Sequence, residues 1–174
     1  MNCLIRRFEP ADTAAMRAFA AGVPDHDLLF LGRDLTHARV IEAWLAAVAD
    51  GRIDSLLAEC EGKVVGTAAL VRDPLGWSAH VGEVRLLVGA EHRGAGIGRD
   101  LLEALFAIAA AHGLAKLSAR MTPDQGGAVA LFESLGFQGE ALLRDEVRDR
   151  AGRPHNLAIL SLDLARPRAE RTTN

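Results

Sequence analysis

The stretch "EHRGAGIGRDLLEAL", Glu91 to Leu105, decides the reading of this chain: Gly94, Gly96 and Gly98 lie between Arg93 and Arg99, and an apolar helical pattern follows at once. Ile97, Leu101, Leu105 and Ile108 recur at helical spacing, so a helix is expected from about Gly98 to His112, closed by Gly113. The segment before it, "HVGEVRLLV" from His80 to Val88, reads as a strand. A strand that runs through glycines into a helix leaves backbone N–H groups converging at the positive end of a helix dipole. Glycines let an anion approach where a Cβ would obstruct it, and the two arginines add charge on either side. The junction suits an anion the size of a pyrophosphate.

Two familiar phosphate loops fail here. A nucleotide P-loop needs GxxxxGK[ST], and Gly89 and Gly94 are followed by Ala95 rather than lysine. A dinucleotide fingerprint GxGxxG starting at Gly94 and Gly96 needs glycine where Arg99 stands.

The rest of the chain supplies the layers around this junction. "CLIRRFEP" reads as a first strand, Asp12 or Thr13 as the cap of a helix through "AAMRAFAAG", and Thr36 as the cap of a second through "HARVIEAWLAAVAD". "DSLLAEC" and "VVGTAALV" form a hairpin around Glu61-Gly62. "AKLSARM" is a short strand, "QGGAVALFESL" a helix stopped by Gly136, and two terminal strands meet around Ala151-Gly152. The order describes one mixed α/β structure.

Composition agrees with one soluble domain, expected over residues 1–165, with a polar tail over 166–174. The chain has 174 residues, 49% hydrophobic and 25% charged, with no apolar run of membrane-spanning length. A net charge of −3 gives no general reason to bind nucleic acid or acidic membranes. "MNCLIRRFEP" is unlike a secretory signal, so a cytoplasmic location is expected. Cys3 and Cys60 stand in separate apolar contexts without zinc spacing; they are expected as small buried hydrophobes, with a disulfide or a nucleophile as lesser alternatives. The histidines are scattered, and no metal is implied.

Arg93, Gly96 and Gly98 in R-x-x-G-x-G after "LLV", with "AVALFESLGF" further on, resemble the GNAT superfamily of acetyl-CoA-dependent N-acetyltransferases, and the likeness extends over nearly the whole chain. It implies a single-domain α/β fold: a central mixed, mostly antiparallel sheet of about seven strands flanked by about four helices, splayed between strands 4 and 5. It implies that amides over Arg93, Gly94, Ala95, Gly96, Ile97, Gly98 and Arg99 hold the coenzyme A pyrophosphate. It also implies that Leu86, Leu87 and Val88 pair with the pantetheine arm, an N–H near Leu86 or Leu87 polarising the acetyl carbonyl. Gln125 stands where the family often has asparagine, and offers an amide to the pantetheine or serves as a helix-entry residue.

Acetyl transfer needs a neutral amine, a polarised carbonyl and a stabilised thiolate. Glu83 is the first candidate base, against a structural pairing with Arg85, and His80 the second. Alternation puts residues 83, 85 and 87 on one face of the strand unless a bulge, which the family often has here, slips it by one. The tyrosine that protonates the thiolate in many relatives is Phe132 here, and the chain contains no tyrosine. Ser134 or an ordered water is left for that task, or the thiolate leaves unassisted. Asp25, Asp27, Asp34 and His26 lie in a loop able to attract a cationic amine, or act as solvated charges. A small-molecule or protein amine acceptor and a possible homodimer complete the expectations; the alternative is a catalytically weak acetyl-CoA-binding regulatory module.

Overall fold

The computed structural model describes residues 3–31 and 33–165. The tail expected over 166–174 lies outside the described residues.

Seven strands form one sheet in the order β1-β2-β3-β4-β5-β7-β6. They are β1 (Cys3–Arg7), β2 (Ile53–Cys60), β3 (Lys63–Arg72), β4 (Val81–Val88), β5 (Lys116–Met121), β6 (Gln138–Arg148) and β7 (Pro154–Asp163). All neighbours are antiparallel except β4 and β5, which run parallel. Parallel pairing needs a crossover, supplied by α4 (Ile97–Ala111). Helices α1 (Thr13–Ala21), the four-residue α2 (Asp25–Leu28) and α3 (Ala38–Ala49) precede the hairpin, and α5 (Gly126–Ser134) follows β5.

Two apolar clusters lie on opposite faces of the sheet. Leu101, Leu105 and Ala109 of α4 and Phe132 of α5 pack with Val84, Leu86, Leu117 and Leu160. Met16 and Ala20 of α1 and Ile41 of α3 pack with Leu57 and Leu87 on the other face. Strand β4 feeds both layers by alternation: Val84 and Leu86 enter one, Leu87 the other. Gly82 obeys the same rule, since a Cβ there would meet Leu70 and Leu114 side chains at 2.6 and 2.8 Å.

Several local expectations change. No bulge interrupts β4 against β3, whose register runs unbroken from Gly66 opposite Val88 to Arg72 opposite Gly82. The register shifts lie instead in the β2–β3 and β6–β7 pairs. Glu83, Arg85 and Leu87 therefore do share a face. Asp12 stands at the start of α1, but its carboxylate accepts two 2.7 Å bonds from Arg6, which also grips Glu59 of β2. The charged pair outcompetes the helix cap. His37 rather than Thr36 precedes α3, because the Thr36 hydroxyl donates to Asp34 at 2.6 Å. The expected hairpin turn holds: Glu61 and Gly62 both have positive φ, 52° and 76°.

The cysteines are corrected. Cys3 stands opposite Cys60 in the β1–β2 register, with Cα atoms 4.4 Å apart, and a disulfide joins them. Sequence context missed it because the two are 57 residues apart and only the strand register makes them neighbours. Disulfides persist in oxidising compartments and are uncommon in the cytosol, so the cysteine chemistry lends no support to the cytoplasmic expectation. No helix among the described residues is long and apolar enough to cross a membrane. Thiol titration of the denatured protein is expected to find free cysteines only after reduction, and replacing both by alanine to lower stability by about 2–4 kcal/mol in urea unfolding.

Candidate active site

The site begins where β4 and β5 part. They pair only from Val81 with Lys116 to Val84 with Ala119. Beyond that, β4 continues to Val88 on the arm of β3, and β5 continues to Met121 on the arm of β7. The backbone of residues 85–88 thus has a strand on one side and a wedge-shaped opening on the other. Carrying the parallel register forward sets Thr122 level with Leu87, across the opening. A cleft of about 630 Å³ occupies this wedge and extends over the start of α4, a volume typical of small-molecule sites.

Its floor is the glycine loop. Gly94 and Gly96 have φ of 76° and 86°, and Gly96 is the residue before α4. A Cβ on either would touch nothing within 4 Å, so glycine is required there by backbone conformation. At Gly98 the requirement is space, because a Cβ would lie 3.0 Å from Leu131 of α5. Among the described residues, the amides of residues 94–99 donate to no protein acceptor. Six unclaimed N–H groups at the positive end of a 15-residue helix form a cradle for an anion. Arg93 braces the loop, donating through Nε to the Val88 carbonyl at 3.2 Å and through its terminal nitrogen to Asp27 at 2.6 Å. Arg99 donates to the Ser134 hydroxyl at 2.9 Å.

Of the residues expected to hold a cofactor, Leu86, Leu87, Val88, Arg93, Gly94, Gly96, Ile97, Gly98, Arg99 and Gln125 all border this cleft. Ala95 is exposed and Phe132 is wholly buried; neither borders it. Phe132 packs edge-on to Phe137 at 4.9 Å, and Leu131 forms the wall instead. The side-chain oxygen of Gln125 is buried without a protein partner, and its amide nitrogen donates to the His26 carbonyl at 3.4 Å. An orphaned buried acceptor invites an N–H from a ligand.

The three candidate catalytic residues do not border the cleft. Glu83 sits on the opposite sheet face from α4, accepting from Arg85 Nε at 2.8 Å, with Arg120 Nε 3.9 Å away. His80 is exposed before β4, its carbonyl accepting the Ala115 and Lys116 amides. Ser134 donates its proton to the Leu131 carbonyl at 2.7 Å.

A group that sequence spacing did not bring together stands in the cleft instead. His26 Nε2 lies 3.0 Å from Asp124 and 3.3 Å from the Thr122 hydroxyl. The Thr122 hydroxyl, with His26 contributing less, holds the Asp124 carboxyl below its ordinary range although burial, the second-largest effect, acts upward. With Nε2 committed to Asp124, Nδ1 is the ring atom left for exchange. His26 and Asp124 are distant in the chain, and only the fold makes them a pair. His155 approaches the His26 ring edge-on, centroids 5.2 Å apart, and is itself held by Asp149 at 3.1 Å. The acid groups of the neighbouring loop are already engaged: Arg150, from the β6–β7 turn, binds both Asp25 and Asp34, and Arg93 binds Asp27.

With fold and cleft in place, the relatives are informative. The model of the acetyltransferase (GNAT) family matches residues 24–137. The chain belongs to that family. It is 35% identical to N-acetyltransferase 8 of Rattus norvegicus over 91 residues, a match covering 50% of this chain and 41% of that protein. The ribosomal-protein-alanine N-acetyltransferase from Brucella melitensis superposes with a TM-score of 0.77 at 29% identity, covering 92% of this chain and 99% of that one. The putative acetyltransferase yncA from Salmonella typhimurium, solved with its cofactor acetyl-CoA, gives 0.78 at 25% identity over 96% of each chain.

Replacing Gly96 by Asp sets a side chain at φ 86° and a carboxylate beside the cradle. Calorimetric affinity for acetyl-CoA is expected to fall at least about tenfold, since one misplaced charge contact is worth 1.4 kcal/mol or more. Gly62→Asp, at an equally left-handed position in the remote hairpin, is expected to leave it unchanged.

Proposed function

We propose that the chain transfers the acetyl group of acetyl-CoA to a primary amine of a small molecule or protein, by direct attack in a ternary complex. The observation that carries this reading is the row of unclaimed amides over residues 94–99, continuous with the opened edge of β4. The first fits a pyrophosphate and the second an extended amide-bearing arm. The neighbour from Salmonella typhimurium described with acetyl-CoA supports the same choice.

Acetyl-CoA supplies a thioester whose carbonyl carbon accepts the amine and whose sulfur departs. The residues of this chain then divide the work. Amides of the loop hold the phosphates, and Gln125 receives an N–H of the arm. A backbone N–H near Leu86 or Leu87 polarises the carbonyl, lowering the barrier where negative charge develops. Glu83 takes the first proton from the arriving ammonium, directly or through water, since its carboxylate is 28% exposed. The second amine proton passes to solvent water as the C–N bond forms, and His26 takes from solvent the proton it gives up. His26, oriented by Asp124 and Thr122, returns a proton to the departing sulfur. This relay does what the absent tyrosine hydroxyl does elsewhere in the family.

The buried Phe132 is the one feature favouring the alternative of an acetyl-CoA-binding module with little turnover. Turnover separates the readings. With an amine panel and a thiol-release assay, the wild type is expected to turn over, His26→Gln to lower kcat about 10²-fold with acetyl-CoA affinity kept, and Glu83→Gln to lower kcat comparably. Tight acetyl-CoA binding without turnover on any amine would leave the regulatory reading.

A further inference from the structure

A second cavity, of about 520 Å³, opens on the opposite face of the sheet between α3, the segment around Leu31–Leu35 and strands β2 to β4. Its apolar walls come from Leu31, Leu35, Val40 and Trp44, while its charged residues are Arg33, Arg52, Arg72 and Arg85 against a single Asp73. From this cavity we infer that the acceptor is an amine carrying a carboxylate a few bonds away, of the size of an apolar α-amino acid. This rests on the acetyl-transfer reading above and adds the substrate class.

Position supports it first. Arg85 borders the cavity, and Leu87, two residues on along the same face of β4, borders the acetyl-CoA cleft. Two strand residues span about 6.6–6.8 Å, so a molecule anchored at Arg85 presents its amine near the thioester end of the cleft. Glu83, the base proposed above, is two residues further back on that face and is bonded to Arg85.

Charge supports it second. The acidic loop that would attract a plain cation has its carboxylates engaged from outside, Asp25 and Asp34 by the one Arg150 and Asp27 by Arg93, so two of its three negative charges are offset. Of the cavity's arginines, Arg52 pairs with Asp50 and Arg72 with Asp54, while Arg33 and Arg85 keep free donors. Arg85 gives only Nε to Glu83, leaving both terminal nitrogens without an acceptor among the described residues. Arg33 is exposed and has no partner among them. A guanidinium with its two-pronged edge free is the group that grips a carboxylate bidentately.

Unsatisfied donors support it third. Trp44 Nε1 and Arg72 Nε are buried without a hydrogen-bond partner, and both residues border this cavity. Buried donors left unpaired are destabilising, and their concentration here marks a place built to receive acceptors.

The test compares L-leucine, L-leucinamide and 3-methylbutylamine as acceptors for the purified chain with acetyl-CoA. Expected is a kcat/KM for leucine at least tenfold above both others, although leucinamide carries more neutral amine at pH 8. Arg85→Gln is expected to bring the acid-to-amide ratio close to one, mainly through KM, and Arg85→Lys to restore part of it. A preference for leucinamide or the simple amine, or a ratio indifferent to Arg85→Gln, would overturn the inference. Should no amine react while acetyl-CoA still binds, the acetyl-transfer reading fails by itself. Calorimetry with N-acetyl-L-leucine then decides the cavity: binding lost in Arg85→Gln upholds a carboxylate site, and no binding to the wild type removes it.

Discussion

Everything at this site depends on the short pairing between β4 and β5. Four residues on each strand pair in parallel, and then each strand is held only by its outer neighbour, β3 for one and β7 for the other. A parallel pair running its full length would have closed the sheet and consumed the backbone groups that a bound arm must use. Pro123, without an N–H, follows directly after Thr122 where β5 leaves off. The opening is therefore a property of the sheet, and the glycine loop is positioned by being the continuation of the strand that forms its wall.

The charges follow from the same geometry. Arginines on neighbouring elements reach across to acids that the chain order keeps far apart: Arg93 to Asp27 and Arg150 to Asp25 and Asp34. Such exposed pairs add little stability individually. Their larger effect is on the field, because they offset two of the three negative charges that Asp25, Asp27 and Asp34 bring to the segment between α1 and α3. A sum over the loop's composition gives an attraction for cations; a sum over its bonded partners gives a weaker one.

Much of this was legible in the sequence where a local rule sufficed. The glycine loop, the hairpin at Glu61-Gly62 and the alternation of β4 all follow from spacing, and the structure places them as expected. The disulfide between Cys3 and Cys60 and the His26–Asp124 pair were not legible, because each joins residues that only tertiary register brings together. Gln125 is an intermediate case. The family resemblance implied contact with a ligand arm and its position at the start of α5 a helix-entry role, but its orphaned oxygen became visible only once burial was known. Phe132 differs: the family resemblance alone set it at the cofactor, whereas the ring turns inward onto Phe137 and Leu131 borders the cleft.

That inward turn has a chemical consequence. A phenylalanine at this position gains a fully buried ring and loses the hydroxyl that a tyrosine would have to satisfy. The core is simpler, and α5 presents Leu131 rather than a hydroxyl to the cleft. The other wall carries a histidine fixed through one nitrogen by a carboxylate whose ionised form is favoured by the adjacent Thr122 hydroxyl. The α5 wall is thus apolar, lined by Ala128 and Leu131, while His26 and Asp124 put a polar pair in the same cleft; on the acetyl-transfer reading proposed above, that pair stands in for the tyrosine.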